Sequence, residues 1–161
     1  MFSLGSNQGD RLHLLQVGIH ELSRTPGLTI DAVSPVYLTR PVDAPDQPDF
    51  HNLVAVGTST LEPLALLRRA LVIELRAGRI RTIHHGPRAL DIDLIKVGEE
   101  TYATPELRLP HPAARQRAFV LVPWLDVDPE ARLPDGRVAD LAAGIDRTGL
   151  RRLGAPIIAC A

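Results

Sequence analysis

Cysteine, lysine, aromatic residues and long apolar runs are all scarce in this chain of 161 residues. The single cysteine, Cys160, cannot form an internal disulfide, so a disulfide-stapled secreted fold is disfavoured and we expect a cytoplasmic protein. No apolar run approaches the roughly 20 residues that a membrane-spanning helix needs, so no membrane partner is expected. A net charge of -1 lacks the basic field that nucleic-acid binding requires, which excludes a nucleic-acid partner from our expectations.

The remaining composition is that of a globular protein, with 45% hydrophobic and 23% charged residues. A chain of this length fits a single domain, which we assign to residues 1–161. Its basic residues are unusual because Lys96 is the one lysine among 18 lysines and arginines. Two groups of arginines stand out, at positions 79, 81 and 88 and at positions 108, 115 and 117. Guanidinium forks suit phosphate oxygens, so both groups are candidate phosphate contacts.

Hydrophobic periodicity and turn residues divide the chain into alternating strands and helices. The predicted elements, in chain order, are a short strand at 1–4, a helix at about 10–24, a strand at 28–39 disturbed by Pro35, a strand at 50–60, a helix ending at Gly78, a strand with a hairpin return at 89–103, a helix through 119–125 that must accommodate Pro123, and a short helix at 138–145. The final stretch, 150–161, is not assigned to any element.

Apolar stripes support the two long helices. The first helix carries Leu12, Leu15, Ile19 and Leu22, with Asp10 favouring its N-terminus. The second is predicted to pack through Leu64, Leu67, Leu71 and Leu75. The order β-α-β-β-α-β is the split pattern of an α+β fold with a ferredoxin-like core. We therefore expect a mainly antiparallel sheet flanked by helices on both sides.

The stretch "GPRALDIDL" places two aspartates, Asp91 and Asp93, inside an apolar strand. Side chains two residues apart on a strand share one face, so these carboxylates converge while Ile92 and Leu94 pack behind them. Paired carboxylates can hold Mg²⁺ and share it with substrate phosphates, although a solvated strand face or arginine salt bridges would explain a short Asp-x-Asp motif as well. The flanking arginines favour phosphate chemistry.

Other nucleotide and metal motifs are absent. "LGSNQGD" at residues 4–10 contains a tight turn but neither a P-loop nor a dinucleotide fingerprint. His84 and His85 are adjacent and cannot easily face one metal, which disfavours zinc. Two segments without core-forming residues, 40–49 and 78–88, are predicted to be long loops.

Seven segments in this order resemble the 6-hydroxymethyl-7,8-dihydropterin pyrophosphokinase family of folate biosynthesis. They are "LGSN-GD", "Y-T-P----DQPDF-N", "E---GR-R", "GPR-LDIDL", "LPHP", "R-FVL-P" and "PDG", within residues 3–136. The resemblance implies an ATP-dependent pyrophosphokinase that moves a pyrophosphoryl group to the hydroxymethyl group of the pterin and releases AMP. It also implies one catalytic domain that acts on small molecules, and we expect a monomer.

The resemblance assigns roles to residues that match the family's motifs. Asp91 and Asp93 would bind two Mg²⁺ ions, and with Arg79 and Arg88 they would form the catalytic group. The ATP-binding residues implied are Glu74, Arg79, Arg81, Arg88, His111 and Arg117. The pterin-binding residues implied are Gly5, Thr39, Arg40, Val42, Phe50, Asn52 and Phe119, with Phe50 and Phe119 sandwiching the ring. The loops at 40–50 and 78–88 would close over both substrates.

The chain departs from the family pattern just before "GPR". His85 stands where tryptophan is common, and His84 stands where a basic residue is common. Loop closure or nucleotide affinity is therefore expected to differ. The first strand also looks short. Two other interpretations remain open: a ferredoxin-like nucleic-acid module, which the pI of about 6.6 disfavours, and a non-catalytic relative, which intact Asp91 and Asp93 disfavour.

Overall fold

A twisted sheet organises the computed structural model, which describes residues 1–41, 46–78 and 89–156. The strands of the main sheet are β1 (Phe2–Ser6), β2 (Leu28–Val33), β3 (Pro35–Thr39), β4 (Phe50–Ser59), β5 (Asp91–Leu94) and β10 (Arg151–Pro156). The helices are α1 (Arg11–Ser23), α2 (Pro63–Arg76), α3 (Ala118–Val127) and α4 (Val138–Ala143), with a 3₁₀ turn at Ala114–Gln116. Two small hairpins pair β6 (Tyr102–Ala103) with β7 (Arg108–Leu109), and β8 (Arg132–Leu133) with β9 (Gly136–Arg137).

The strand order of the main sheet is β10-β3-β4-β1-β5, and β2 continues beside β4 on the same side as β3. Every pairing in this sheet is antiparallel. Helices α1 and α2 cover one face, and α3 packs on the other face against β3 and β4. The predicted ferredoxin-like α+β fold with helices on both sides is confirmed.

Helix α1 forms as its sequence predicts. The Asp10 side chain accepts a hydrogen bond from the backbone N–H of His13 at 3.0 Å and so caps the first turn. Leu15, Ile19 and Leu22 are buried, whereas Leu12 is 45% exposed and lies outside the core. Leu12 therefore does not belong to the buried stripe that the sequence predicts for this helix.

The predicted packing stripe of α2 is correct only in part, because Leu64 and Leu67 are partly buried against the core but do not form its centre. Leu75 is 61% exposed, and the fully buried apolar positions of the helix interior are Leu66, Ala70 and Ile73. These three follow i, i+4, i+7 spacing, whereas the predicted stripe follows i, i+3, i+7, i+11, and both spacings are helical because apolar residues cover more than one face of this helix. Periodicity alone cannot choose between two apolar stripes. Their packing against the sheet decides which one is buried.

Pro35 interrupts the second strand as predicted. Ser34 separates β2 from β3, and its hydroxyl accepts the backbone N–H of Val54 at 2.9 Å while its own N–H donates to the Val54 carbonyl at 2.8 Å. A side chain thus takes part in the ladder at this break. Proline has no N–H to contribute, and β3 begins at this residue.

Strand β4 separates two hydrophobic clusters. Leu53 and Ala55 face the cluster beneath α1 and α2, whereas Val54 and Val56 face the cluster beneath α3. Because successive side chains of a strand point to opposite faces, β4 contributes to both clusters.

Three other predictions need correction. The return strand predicted after Gly98 is β6, and it pairs with the following strand β7 instead of with β5. Pro123 was expected to impose a kink or a break on its helix, and no break occurs, because α3 continues through this buried proline. The unassigned C-terminal stretch contributes β10, which pairs with β3 at the edge of the sheet. Its sequence, "RRLGAP", has no alternating apolar pattern that would predict a strand.

Candidate functional site

The strand register aligns the predicted site residues in rows on one face of the sheet. Asp91 of β5 lies opposite Gly5 of β1, Gly5 lies opposite Asn52 of β4, and Asn52 lies opposite Tyr37 of β3. Directly opposed residues share a face, so one row crosses four strands from a carboxylate to a phenol. This face is the one on which α3 packs, and the opposite face carries α1 and α2.

Neighbouring rows extend the surface in both directions. Asp93 lies opposite Ser3, which lies opposite Val54, and on the other side Phe50 lies opposite Thr39. Antiparallel pairing therefore brings together side chains that are far apart in sequence. The predicted carboxylates lie at one end of this surface, and the predicted pterin-binding residues of β3 and β4 lie at the other.

Strand β5 presents its aspartates as the sequence predicts. Asp91 and Asp93 are half-buried, and the alternating Ile92 and Leu94 are 2% and 3% exposed within the core. The apolar residues fix the strand against α2, while the carboxylates face the opposite side. The burial of Ile92 and Leu94 therefore holds the short strand β5, and with it the two aspartates, in place.

Arg117 supplies a positive charge directly at Asp93. Its guanidinium nitrogen lies 3.0 Å from the Asp93 Oδ2, and the two side chains are 33% and 31% exposed. The same guanidinium lies 5.5 Å from the centre of the Phe119 ring. Arg117 immediately precedes α3, so that helix sets the positions of both Arg117 and Phe119.

His111 approaches the carboxylates from the segment before the 3₁₀ turn. Its backbone N–H donates to the Ile95 carbonyl at 2.8 Å, which ties it to the end of β5. Burial lowers the pKa of His111, the Arg117 charge lowers it further, and Asp93 and Asp91 oppose that shift. The ring Nδ1 accepts the backbone N–H of Ala113 at 3.2 Å, so the Nε2 atom carries the hydrogen of the neutral ring.

Glu74 is the acidic residue for which the family resemblance implies a place in the nucleotide site. It is 2% exposed in the last turns of α2, and its Oε1 accepts the backbone N–H of Ile92 at 2.7 Å. The structure thus places this carboxylate against the backbone between the two aspartates. It connects α2 to the outer side of β5.

Gly5, Phe50 and Asn52 meet in the middle of the surface. A Cβ atom built on Gly5 would lie 2.6 Å from the Asn52 Oδ1 and 3.7 Å from the Phe50 ring. Asn52 is 4% exposed, and its Nδ2 donates to the Thr39 Oγ1 at 2.5 Å. Glycine at position 5 therefore leaves space for an amide and an aromatic ring above the sheet.

The remaining predicted residues divide into two groups. Arg40 is exposed, and its side chain lies against Gly149, where an added Cβ would be 3.0 Å from the arginine Cγ. Val42, Arg79, Arg81 and Arg88, together with His84 and His85, lie outside the described residues. Most of the loop predicted at 78–88 and part of that at 40–50 are outside them too.

Tyr37 is a neighbour of the site that the sequence analysis missed. It is 6% exposed in the same row as Asn52, and its hydroxyl donates to Asp126 Oδ2 of α3 at 2.6 Å. The signal was present because Tyr37 stands two residues before Thr39 on one strand and must share its face. This hydrogen bond links β3 to the helix that positions Arg117 and Phe119.

The Tyr37 hydroxyl yields a test of that link. Burial, followed by the hydrogen bond to Asp126, raises the pKa of Tyr37 from 10.0 to about 12. The folded chain keeps this proton to a higher pH than the unfolded chain does. The resulting contribution to folding stability is present below pH 10.0 and is lost as the pH rises to about 12. Ultraviolet titration should show a tyrosinate component near pH 12 that disappears in Tyr37→Phe and persists in Tyr102→Phe. A component that survives Tyr37→Phe would contradict the assignment.

Within residues 1–41, 46–78 and 89–156, no helix is long and apolar enough to span a membrane. The same residues contain no group of three or more acidic, histidine or cysteine side chains that could hold a metal on their own. The donor set is instead two carboxylates on one strand. Such a pair fits Mg²⁺, which keeps several of its positions for water and substrate phosphates.

Paired carboxylates beside an arginine on one sheet face are groups that phosphoryl transfer can use, because carboxylates hold Mg²⁺ and arginine neutralises phosphate charge. Residues 1–129 match the family described as 7,8-dihydro-6-hydroxymethylpterin-pyrophosphokinase. The chain belongs to this family of folate-synthesis enzymes.

Similar proteins agree with that family. The chain is 41% identical over 152 residues to the 2-amino-4-hydroxy-6-hydroxymethyldihydropteridine pyrophosphokinase of Pseudomonas aeruginosa, covering 94% of each chain. It is 36% identical over 150 residues to the protein of that name from Methylorubrum extorquens, covering 93% of this chain and 95% of the relative. The folic acid synthesis protein fol1 of Schizosaccharomyces pombe is 38% identical over 128 residues, which are 80% of this chain and 18% of fol1.

Proposed function

We propose that this chain transfers a pyrophosphoryl group from ATP to the hydroxymethyl group of 6-hydroxymethyl-7,8-dihydropterin. The pterin hydroxyl oxygen forms a bond to the β-phosphorus of ATP as the bond from that phosphorus to the α-phosphate oxygen breaks. AMP leaves, and the hydroxyl proton passes to solvent. The observation that carries this proposal is the row from Asp91 through Gly5 to Asn52, since it joins a candidate phosphate end to a candidate ring-binding end.

At the phosphate end, Asp91 and Asp93 would hold two Mg²⁺ ions. When bound, these ions neutralise phosphate charge and orient the donor and the attacking hydroxyl. Arg117 is 3.0 Å from Asp93 and can reach a phosphate oxygen beside that carboxylate. His111 offers its Nε2–H as a neutral hydrogen-bond donor in the same region. Arg79, Arg81 and Arg88 are proposed to complete the ATP contacts.

At the ring end, Asn52 would bind the polar edge of the pterin, and Phe50 and Phe119 would contact its two faces. The Phe50 ring adjoins the space above Gly5, and Phe119 begins α3 beside Arg117. Thr39, Arg40 and Val42 are proposed to line the edge of this site. Glu74 would support the nucleotide site indirectly by holding β5 in place, since its Oε1 accepts the Ile92 N–H.

We further propose that the chain works as one catalytic domain, 1–161, and as a monomer in the cytoplasm. The largest exposed apolar side chains of the described residues are scattered over α1, α2 and β10: Leu12, Val72, Leu75 and Leu153. Scattered apolar residues of this kind do not require a protein partner.

The product identity tests the proposed reaction. The chain is incubated with ATP, Mg²⁺ and 6-hydroxymethyl-7,8-dihydropterin, and nucleotides are separated by chromatography. We expect AMP in a one-to-one ratio with pyrophosphorylated pterin, and no AMP after chelation of Mg²⁺. Formation of ADP, or AMP that appears equally without the pterin, would overturn the proposal.

A further inference from the structure

The segment that leads into Phe50 is held by residues at the start of α1. Arg11, the first residue of that helix, donates from a guanidinium nitrogen to the backbone carbonyl of Asp49 at 2.6 Å. Asn7, in the turn before the helix, donates from its Nδ2 to the Gln47 Oε1 at 3.0 Å. The chain immediately before β4 is therefore attached to the turn and the helix that follow β1.

The β1–β4 ladder ends one pair before Phe50. Its last pair joins Ser6 to His51, and Phe50 is paired with Thr39 of β3 on its other side. The hydrogen bond from Arg11 supplies an attachment on the β1 side, at the residue directly before Phe50. Burial lowers the pKa of His51 and the Arg11 charge lowers it further, which agrees with a guanidinium that lies alongside the start of β4.

The charge of Arg11 does not serve the helix in which it stands. A cation in the first turn opposes the positive end of the helix dipole, and the capping hydrogen bond of α1 is made by Asp10 instead. Replacing Arg11 with a neutral residue should therefore leave α1 formed. The backbone carbonyl that it binds explains this guanidinium better, since a charged donor forms a stronger hydrogen bond than a neutral one.

We propose that Arg11 is a positioning residue for the pterin site and acts through Phe50. The inference rests on the proposed function, in which the Phe50 ring contacts one face of the pterin. That ring lies 3.7 Å from the place of a Cβ built on Gly5, and its position follows the backbone at Asp49 and Phe50. Fixing the Asp49 carbonyl holds the ring in place before the ligand arrives, so less ordering is required on binding.

The experiment compares Arg11→Met with Arg11→Lys. Methionine keeps a long unbranched stem and removes the charged donor, whereas lysine keeps a charged donor. Affinity for 6-hydroxymethyl-7,8-dihydropterin is measured by calorimetry with Mg²⁺ and a non-hydrolysable ATP analogue present. We expect Arg11→Met to weaken pterin binding about tenfold, as loss of a hydrogen bond from a charged group does, and Arg11→Lys to restore most of that affinity.

The kinetic constants separate positioning from a general defect. In Arg11→Met the KM for the pterin should rise about tenfold, while kcat should change less than about threefold because the phosphate end at Asp91 and Asp93 is unaltered. Affinity for the ATP analogue alone should be unchanged. The control is Arg24→Met, at the exposed C-terminal end of the same helix, which should leave all of these values as they are in the parent chain.

A double-mutant cycle tests whether Arg11 acts through the ring. In a Phe50→Ala background, Arg11→Met should cost less than about twofold in pterin affinity, because the group that Arg11 positions is gone. The full loss in that background, or equal losses in Arg11→Met and Arg11→Lys, would overturn the inference. Unchanged pterin affinity in folded Arg11→Met would do so as well, and Arg11→Ala takes its place if the methionine variant does not fold. Failure of the parent chain to bind the pterin would instead overturn the proposed function.

Discussion

Asp93→Ala is expected to lower the rate of AMP formation by about 1,000-fold or more while the chain remains folded. Positioning of phosphates and neutralisation of their charge supply most of the catalysis in phosphoryl transfer, and each factor of ten corresponds to about 1.4 kcal/mol of barrier. Asp93 is half-buried on the face of the sheet that carries α3, and the core behind it is formed by Ile92 and Leu94. Truncating the carboxylate should therefore leave that core intact.

The matched control is Asp135→Ala. Asp135 also pairs with an arginine, at 2.9 Å from Arg115, compared with 3.0 Å for Asp93 and Arg117. Asp135 does not lie on the strand that carries the candidate metal ligands. Because an exposed ion pair contributes little energy, we expect turnover of Asp135→Ala to stay within about twofold of the parent chain. The measurements are AMP production, Mn²⁺ binding with the ATP analogue, and thermal unfolding. Near-normal turnover or Mn²⁺ affinity in Asp93→Ala would contradict the assigned role.

Gly57→Ala is expected to produce the largest loss of stability among the glycine substitutions considered. A Cβ at Gly57 would lie 2.2 Å from the Thr29 carbonyl oxygen and 3.2 Å from the Ile30 Cα, which are backbone atoms that cannot rotate away. This contact occurs where the β2–β4 register shifts between Ile30 and Ala32. Relieving it requires opening the ladder, at a cost of about 2–4 kcal/mol.

For a chain of this size, that cost corresponds to a fall in Tm of roughly 5–15 °C, measured by differential scanning calorimetry. Gly154→Ala is the control, because a Cβ there meets nothing within 4 Å and the residue also lies in a strand. Its Tm should change by about 2 °C at most. At a temperature where both variants are folded, both should still form AMP, since neither glycine belongs to the candidate site. Equal Tm values for the two variants would refute the steric explanation.

The parts of the fold that follow from local pattern were predictable. Asp10 caps α1 where a capping residue was expected, and the alternation of Leu53 with Val54 defines the two faces of β4. The spacing of Asp91 and Asp93 likewise places both carboxylates on one face. In each case the signal is contained in a few consecutive residues, so no distant contact is needed to interpret it.

Features that depend on distant contacts were not predictable. Leu75 belongs to a plausible apolar stripe, yet packing of α2 against the sheet buries Leu66 and Ile73 instead. The edge strand β10 has no apolar alternation, and its hydrogen bonds to β3 determine its conformation. The Tyr37–Asp126 contact joins residues 89 positions apart. Sequence periodicity carries no information on which of several candidate partners lies nearby.

The register of three antiparallel strands fixes the distance between two candidate site residues. Asp91 and Asn52 are separated by two strand spacings, with only Gly5 between them, so their backbones are held about 10 Å apart. Neither a loop nor a hinge intervenes in that span. A slip of β1 by one residue would turn Gly5 to the other face and misalign both ends at once. The separation between the candidate metal ligand Asp91 and the candidate ring-binding residue Asn52 is therefore set by backbone pairing, and side-chain substitutions at either end cannot easily alter it.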